Sequence, residues 1–137
     1  MIQGVFQIAA SALSAEALRI TLSSENLANT DSIASPEGGP YKRRVPLFTS
    51  RMVGGESSGP VGLGVATAAV LTDPSPARKE YDPANPLADG QGFVNKPNVN
   101  PVTEMVDILE ASRVYQANLA AIESAKSAIL SAINLLS

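Results

Sequence analysis

The chain has 137 residues and a formal net charge of −3, and it contains no cysteine, histidine or tryptophan. The length suits one domain, and the small net charge implies neither a nucleic-acid-binding surface nor a polyacidic tail. Without cysteine and histidine there is no disulfide framework, no thiolate metal site and no histidine base, so we predict no catalytic, cofactor-binding or metal site.

Proline and glycine divide the chain into three segments. All ten prolines lie between Pro36 and Pro101, and nine of the ten glycines lie between Gly38 and Gly92. Because proline breaks helix interiors, this pattern predicts helices at residues 1–29 and 101–137 around an insert at residues 30–100. The expected fold is mainly α with a small β-rich insert: two long terminal helices form an elongated coiled coil, and the irregular middle region carries short strands.

The first segment reads as a helix from about Ile2 to Asn29, because asparagine tolerates the left-handed conformation that ends helices. No basic residue precedes its apolar stretch, which polar residues also interrupt. We therefore expect neither a cleaved secretory signal nor a membrane span. Large apolar residues recur every seven positions, as in a coiled-coil seam: Phe6, Leu13, Ile20 and Leu27.

The insert is expected to hold short strands separated by turns. The strand candidates are Tyr41–Phe48, which Pro46 bends or confines to a sheet edge, Leu63–Leu71 and Phe93–Val94. Residues 54–64 read as a flexible Gly/Ser loop, and residues 73–76 and 81–86 as extended polyproline-like segments with turns.

The last segment has a helix start signal at Asn100 and Pro101, since asparagine caps helices and proline fits the first helical position. Near this start, Glu104 and Asp107 favour the helix dipole. Asn118 lies beside a second seam, where it either fixes the register of a coiled coil or is an ordinary polar position. The members of this seam recur every seven residues: Ile108, Tyr115, Ile122, Ile129 and Leu136.

Charged residues of the insert admit a chemical and a structural interpretation. Acids at 73, 80, 82, 89 and 104 would be candidates for acid–base catalysis, but three of them lie in Asp-Pro or Asp-Gly steps that favour turns. We prefer the turn interpretation. The basic run Lys42–Arg44 either contacts an acidic partner or protects a solvated strand edge.

Motifs near both ends resemble the axial proteins of the bacterial flagellum. SENLAN at 24–29 and GGPYK at 38–42 resemble the wider axial family. GFV at 92–94, PNVN at 97–100, EMVD at 104–107 and ASRVYQAN at 111–118 resemble its proximal-rod members. The motif positions singled out are Asn26, Asn29, Gly39, Tyr41, Asn98, Asn100, Glu104, Met105, Arg113 and Tyr115.

The resemblance implies a structural, non-enzymatic subunit of the proximal rod in the flagellar basal body. Such a protein is made in the cytoplasm, is exported by the flagellar type III apparatus without a cleaved signal, and joins the periplasm-spanning, torque-transmitting rod around the export channel. The implied partners are FliE, FlgB, FlgF and further copies of the chain, with no nucleic acid and no membrane span. The seam residues, with Asn118, are the expected assembly interface.

Two other classes of function stay open at this point. A soluble helical-hairpin module that binds a protein as a monomer would also carry paired apolar helices. A hydrolase acting on cell-wall glycans would need two carboxylates facing one cleft, and the sequence places no such pair on a convincing scaffold.

Overall fold

The fold is that of a computed structural model, which describes residues 2–34, 38–53 and 62–136. Within these residues, two helices flank four strands in the order α1 (Ile2–Ala28), β1 (Arg44–Val53), β2 (Gly62–Thr72), β3 (Arg78–Tyr81), β4 (Phe93–Lys96) and α2 (Pro101–Leu136). The mainly helical fold with a small strand-bearing insert is therefore confirmed.

The two helices run side by side in opposite directions. Near the end of α1, the Asn26 amide lies 3.2 Å from the Glu104 carboxylate in the first turn of α2. Two turns earlier in α1, Arg19 lies 3.9 Å from Glu110, further along α2. Two turns after Glu104 on the same face of α2, Ala111 is fully buried, so a small side chain lets the helices approach closely.

Strands β1 and β2 form an antiparallel hairpin that lies along α1. Their register runs from Arg44 opposite Thr72 to Val53 opposite Gly62, with an irregularity between Leu47 and Phe48. Strand β1 thus begins three residues later than the predicted Tyr41–Phe48 segment and continues beyond it. Pro46 is compatible with β1 because this strand has only one neighbour in its two-stranded sheet.

Two glycines of β2 allow the hairpin to contact α1 directly. A Cβ atom on Gly64 would lie 2.8 Å from the Ser11 hydroxyl oxygen, and one on Gly62 would lie 2.7 Å from Ile8 Cδ1. The Ser11 hydroxyl accepts a hydrogen bond from the Val65 amide at 3.0 Å. The prediction of a loop was therefore wrong for residues 62–64, which belong to a strand, while residues 54–61 lie outside the described part of the chain.

Strands β3 and β4 form a second antiparallel pair, from Arg78 opposite Lys96 to Tyr81 opposite Phe93. The Tyr81 and Phe93 rings pack edge to face with centroids 5.3 Å apart. The sequence did not predict β3, because its four residues are all exposed and show no alternation. The predicted extended segment 81–86 begins with the last residue of β3 and continues in turns.

The core of the described residues is thin and is distributed along the molecule. Its buried apolar residues are Ala15, Leu22, Val53, Val94, Val99 and Ala111. The largest fully buried side chains also include two polar ones, Asn26 and Glu104. A buried carboxylate and a buried amide are tolerated only when they are paired. Asn26, Glu104 and their partners therefore form the candidate functional site.

Candidate functional site: a buried polar node between the helices and the insert

Asn26 connects three parts of the chain with its side-chain amide and is only 1% exposed. Its Nδ2 donates to the Arg44 carbonyl at 2.9 Å and to Glu104 Oε2 at 3.2 Å. Its Oδ1 accepts from the Arg44 amide and from the Tyr41 hydroxyl, both at 2.9 Å. An asparagine side chain offers two donors and two acceptor sites, and here all four are used. Burial raises the pKa of the Tyr41 phenol.

Glu104 is fully buried and is paired with a cation from the insert. Its Oε1 accepts a hydrogen bond from Nε of Arg43. The same guanidinium contacts Asp107 Oδ2 at 3.2 Å and lies 4.0 Å from Asp73 Oδ2. Arg43 therefore joins α2 to the insert, and without it the Glu104 carboxylate would be a buried, unpaired charge.

Asn98 fastens the base of the β1–β2 hairpin to the linker that precedes α2. Its Oδ1 accepts from the Arg43 amide at 2.8 Å, and its Nδ2 donates to the carbonyls of Asp73 and Ser75 at 3.2 and 3.0 Å. We call the set Asn26, Tyr41, Arg43, Asn98 and Glu104 the polar node. It connects α1, the base of the hairpin, where β1 begins and β2 ends, and α2.

Asn100 positions the buried carboxylate by capping α2. Its Oδ1 accepts from the Val102 amide at 3.0 Å and from the Thr103 amide at 3.5 Å. Its carbonyl accepts a hydrogen bond from the Glu104 amide at 3.1 Å, which is the first backbone hydrogen bond of α2. The predicted cap is thus confirmed, and it places Glu104 in the first turn with its side chain towards α1.

The groups of the polar node form hydrogen bonds and an ion pair with one another, so they hold the two helices and the insert together as a clamp. Acid–base catalysis needs a carboxylate that can reach a substrate, whereas the Glu104 carboxylate is fully enclosed between Arg43 and Asn26. The sequence indicated Glu104 as a helix-dipole residue, a candidate acid and a motif position, but not as the centre of a clamp. The larger role could not be read from the sequence, because its partners lie 61 and 78 positions away.

The other candidate acids serve turns and ion pairs. The Ser75 hydroxyl and then the Ser75 amide, whose nitrogen lies 2.8 Å from Asp73 Oδ1, donate to the Asp73 carboxylate and lower its pKa. Asp89 Oδ1 accepts the Phe93 and Gln91 amides at 2.9 Å, which lowers the pKa of that carboxyl. Asp82 Oδ2 accepts from the Asn85 side chain at 3.5 Å. The turn interpretation is therefore confirmed for Asp73 and Asp89.

The basic run Lys42–Arg44 has a divided role. Arg43 extends inward to Glu104 and Asp107, so the acidic partner of this side chain belongs to the same chain. The prediction of a solvated strand edge was wrong for Arg43. It fits Arg44, which is exposed and pairs with Glu25 at 3.1 Å.

Half of the ten motif positions have a structural role in the polar node or its helix cap: Asn26, Tyr41, Asn98, Asn100 and Glu104. Asn29 donates to the Glu25 carbonyl at 2.8 Å, and Gly39 has a φ of 76°, which favours glycine. Tyr115 is half-buried on the face of α2 that continues from Glu104, while Met105 and Arg113 are exposed.

The seam residues lie at intermediate depth within one chain. Those with described side chains are half-buried: Phe6, Leu13, Ile20, Leu27, Ile108, Tyr115, Ile122 and Ile129. The Leu136 side chain lies outside the described part. Asn118 donates to the Val114 carbonyl of its own helix at 3.0 Å, and within the chain α1 and α2 make polar contacts through Asn26 with Glu104 and Arg19 with Glu110. The assembly role of the seams stays a prediction.

Comparison with known proteins supplies the family. The model of the family described as "Flagellar basal body rod FlgEFG protein C-terminal" matches residues 91–135. The "Flagellar basal-body rod protein FlgC" of Yersinia enterocolitica is 41% identical over 131 residues, which cover 96% of this chain and 95% of the relative. This chain belongs to the FlgC family of flagellar basal-body rod proteins.

More distant FlgC proteins are similar over almost their whole length. The protein of Borreliella burgdorferi is 40% identical over 142 residues, with 94% of this chain and 93% of the relative covered. That of Bacillus subtilis is 35% identical over 143 residues, with 93% of each covered. FlgC-family membership confirms the resemblance read from the motifs, and it makes the chain a structural rod protein and not an enzyme.

Helix α1 is also long and apolar enough, over Gln3–Ala28, to cross a membrane by length and composition alone. The core helix of a protein can pass the same test. In this fold α1 contacts α2 through Asn26 and the hairpin through Ser11. These contacts bury part of α1, while residues such as Val5, Ala10 and Ala17 stay exposed.

Proposed function

We propose that this chain is a subunit of the proximal rod, in which its terminal helices assemble into the torque-transmitting shaft around the export channel. The single observation that carries the proposal is the polar node, because Asn26 binds α1 to the insert and the ion pair of Arg43 with the fully buried Glu104 carboxylate binds α2 to it. A clamp of this kind suits a part that must transmit force between a helical shaft wall and an outer module.

The shape of the helical pair supports a role in a filament. At 1.5 Å per residue, α1 is about 40 Å long and α2 about 54 Å long. Long helices offer extended side faces, and contacts between different faces of neighbouring subunits generate an open helical assembly. We propose that α1 and α2 pair as an elongated coiled coil in the rod, with the two seams contributing to the assembly interface.

The partners that we propose are FliE, FlgB, FlgF and further copies of this chain, with delivery by the type III export apparatus and without a cleaved signal. The thin core supports this route. A chain exported unfolded must refold at its destination, and a distributed core with few buried apolar side chains gains much of its stability from its neighbours after assembly.

A soluble helical-hairpin binding module is the second candidate, and the pairing of α1 with α2 inside one chain favours it. The two functions differ in the isolated protein. A rod subunit should exchange its amide hydrogens rapidly towards the free ends of the two helices, within residues 2–27 and 108–136, and gain protection there only on assembly, because each helix leaves apolar side chains uncovered. Strong protection throughout both ranges in a monomer would favour the binding module.

Genetic complementation tests the rod assignment itself. Cells that lack this chain are expected to be non-motile and to lack complete rods. Restoring the full chain should restore motility and place the chain in isolated basal bodies. Motile deletion cells, or basal bodies that assemble without the chain, would contradict the proposal.

A further inference from the structure

Helix α2 exposes an apolar cluster near its N-terminal end, on the side that faces away from α1. We call it the outer patch: Val102, Met105, Val106 and Leu109. Their exposed fractions are 69, 54, 56 and 60%. Four large apolar side chains that are more than half exposed within three turns form a contiguous surface, and such surfaces mark interaction sites.

The outer patch is separate from the seam that α1 already uses. At 100° per residue, Glu104, Ile108 and Ala111 lie on one side of α2, and Asn26 of α1 contacts this side through Glu104. Val102, Val106 and Leu109 lie roughly 140–160° away from Glu104 around the helix, and Met105 lies at about 100°, on the flank between the two sides. Because the seam is at least half-buried inside the chain, a second subunit that contacts the start of α2 meets the outer patch.

The polar node holds the outer patch in place. Glu104 lies between Val102 and Met105 in sequence and is fixed by Arg43, while Asn100 caps the turn from which the patch begins. Asp107, which lies between Val106 and Leu109, is fixed by the same guanidinium. A preorganised surface loses little conformational entropy when it binds, which favours specific contact.

Charge decides which kind of surface can cover the outer patch. The patch itself is uncharged, so a charged partner would bury an ion without a counter-ion, which is costly. This chain shows one suitable surface along α1, made of exposed, uncharged and mostly small residues: Gln3, Gln7, Ala10, Ser14, Ala17, Thr21, Ser24 and Ala28. Large side chains of one helix pack into the gaps of such a face on another.

We propose that the outer patch is the docking surface for an uncharged, small-residue helix face on the adjacent rod subunit, of the type that α1 carries in this chain. The outer patch points away from α1 of its own chain, so the contact joins two different faces of two subunits. Such a contact does not close on itself and propagates a helical assembly. This inference rests on the proposed rod function.

Photo-crosslinking in assembled rods tests the occupant. A benzophenone amino acid replaces Met105, and a matched control replaces Thr67, which is exposed on β2. We expect a Met105 adduct with a second rod subunit, mapped by mass spectrometry to an uncharged helical stretch, and no such adduct from position 67. An adduct within the same chain, an adduct with a charged or β segment, or no adduct in rods that contain the chain would overturn the proposal.

Two variants test whether the outer patch is needed. Leu109→Glu should lower incorporation into rods by about ten-fold or more, because the new carboxylate would be buried at the contact. The control Gln116→Glu adds the same charge at an exposed position two turns later and should leave incorporation unchanged. Met105→Gln, which adds no charge, should lower incorporation by about three-fold.

The outcomes separate this inference from the rod function. If the wild-type chain is absent from rods, the proposed function fails. If the wild-type chain is present and both Leu109→Glu and Met105→Gln are incorporated normally, the docking surface alone fails. The thermal midpoint of each isolated variant should match the wild type, and a loss of incorporation that tracks a lowered midpoint in both variants would also overturn the docking role.

Discussion

The side chains of Asn26 and Glu104 meet at 3.2 Å between α1 and α2, 78 positions apart in the chain. Asn26 also binds the backbone of Arg44, and Glu104 binds the guanidinium of Arg43. The pairing of the helices and the attachment of the insert therefore depend on the same buried groups. A change in one of these groups should disturb both.

The buried ion pair can be broken by the substitution Glu104→Gln. The amide retains an acceptor for Asn26 but leaves Arg43 without its buried counter-ion, and removing one partner of such a pair costs about 3–5 kcal/mol. We expect the lower end of that range, because Arg43 keeps Asp107. Urea unfolding of the isolated chain at neutral pH measures the loss.

The matched control for this change is Glu110→Gln on the same helix. The Glu110 side chain is exposed and lies 3.9 Å from Arg19, and a surface change of this kind usually alters the free energy of unfolding by less than about 0.5 kcal/mol. Equal effects at the two positions would contradict the role assigned to the polar node.

The contact between the hairpin and α1 can be opened by the substitution Gly64→Ala. The added Cβ would lie 2.8 Å from both the Ser11 hydroxyl and Val53 Cγ2, so the hairpin must shift away from α1. We expect a loss of about 1–3 kcal/mol in the free energy of unfolding. Gly90→Ala is the control, since no atom of the described residues lies within 4 Å of its added Cβ, its own chain neighbours apart. Unchanged stability of Gly64→Ala would show that the hairpin is not seated on α1 as described.

The sequence predicts the periodic elements well and the contacts between them poorly. Proline-free ends and seven-residue seams identify α1 and α2, and the apolar run at 63–71 identifies β2. The sequence does not predict the polar node, because Arg43 and Glu104 have the local pattern of a surface cation and a helix-dipole acid. Their burial depends on a contact that forms only when the chain folds.

The same limit applies to the glycines at 62 and 64. Locally Gly62 reads as the end of a flexible loop, because glycine is favoured in turns, and Gly64 lies where the predicted loop overlaps the predicted strand. In the fold they are strand residues whose missing side chains make room for Ser11 and Ile8. The motif resemblance, in contrast, singled out Asn26, Tyr41, Asn98 and Glu104 together, and the structure brings these four residues into one site.

The structural role of the seams and turns can be separated from catalysis by paired substitutions. Ile122→Asp or Leu13→Asp places a charge at a half-buried seam position and should abolish rod assembly while the chain is still synthesised. Asp73→Asn and Asp82→Asn should leave motility nearly unchanged, because asparagine also supports these turns. The readouts are swimming and, separately, isolation of rods. If cells with an Asn variant assemble rods but cannot swim, the aspartate does more than support a turn. That result would contradict the purely structural function of this chain.

Acid should weaken the turn around Asp89. The amides of Phe93 and Gln91 bind its carboxylate and lower its pKa in the folded state below the value of about 3.9 for a free aspartate. The stabilisation is therefore present above that value and is lost as the pH falls through the lowered pKa. NMR titration of the carboxyl carbon measures the midpoint. A midpoint at or above about 3.9 would contradict the two hydrogen bonds.

A cryo-electron microscopy map of isolated basal bodies would show the chain in its assembled state. We expect this chain to lie in the proximal rod, with α1 and α2 antiparallel in the shaft wall and Asn26 next to Glu104 of the same chain. A rod without this chain, or one in which its two helices lie apart, would rule out the proposed function.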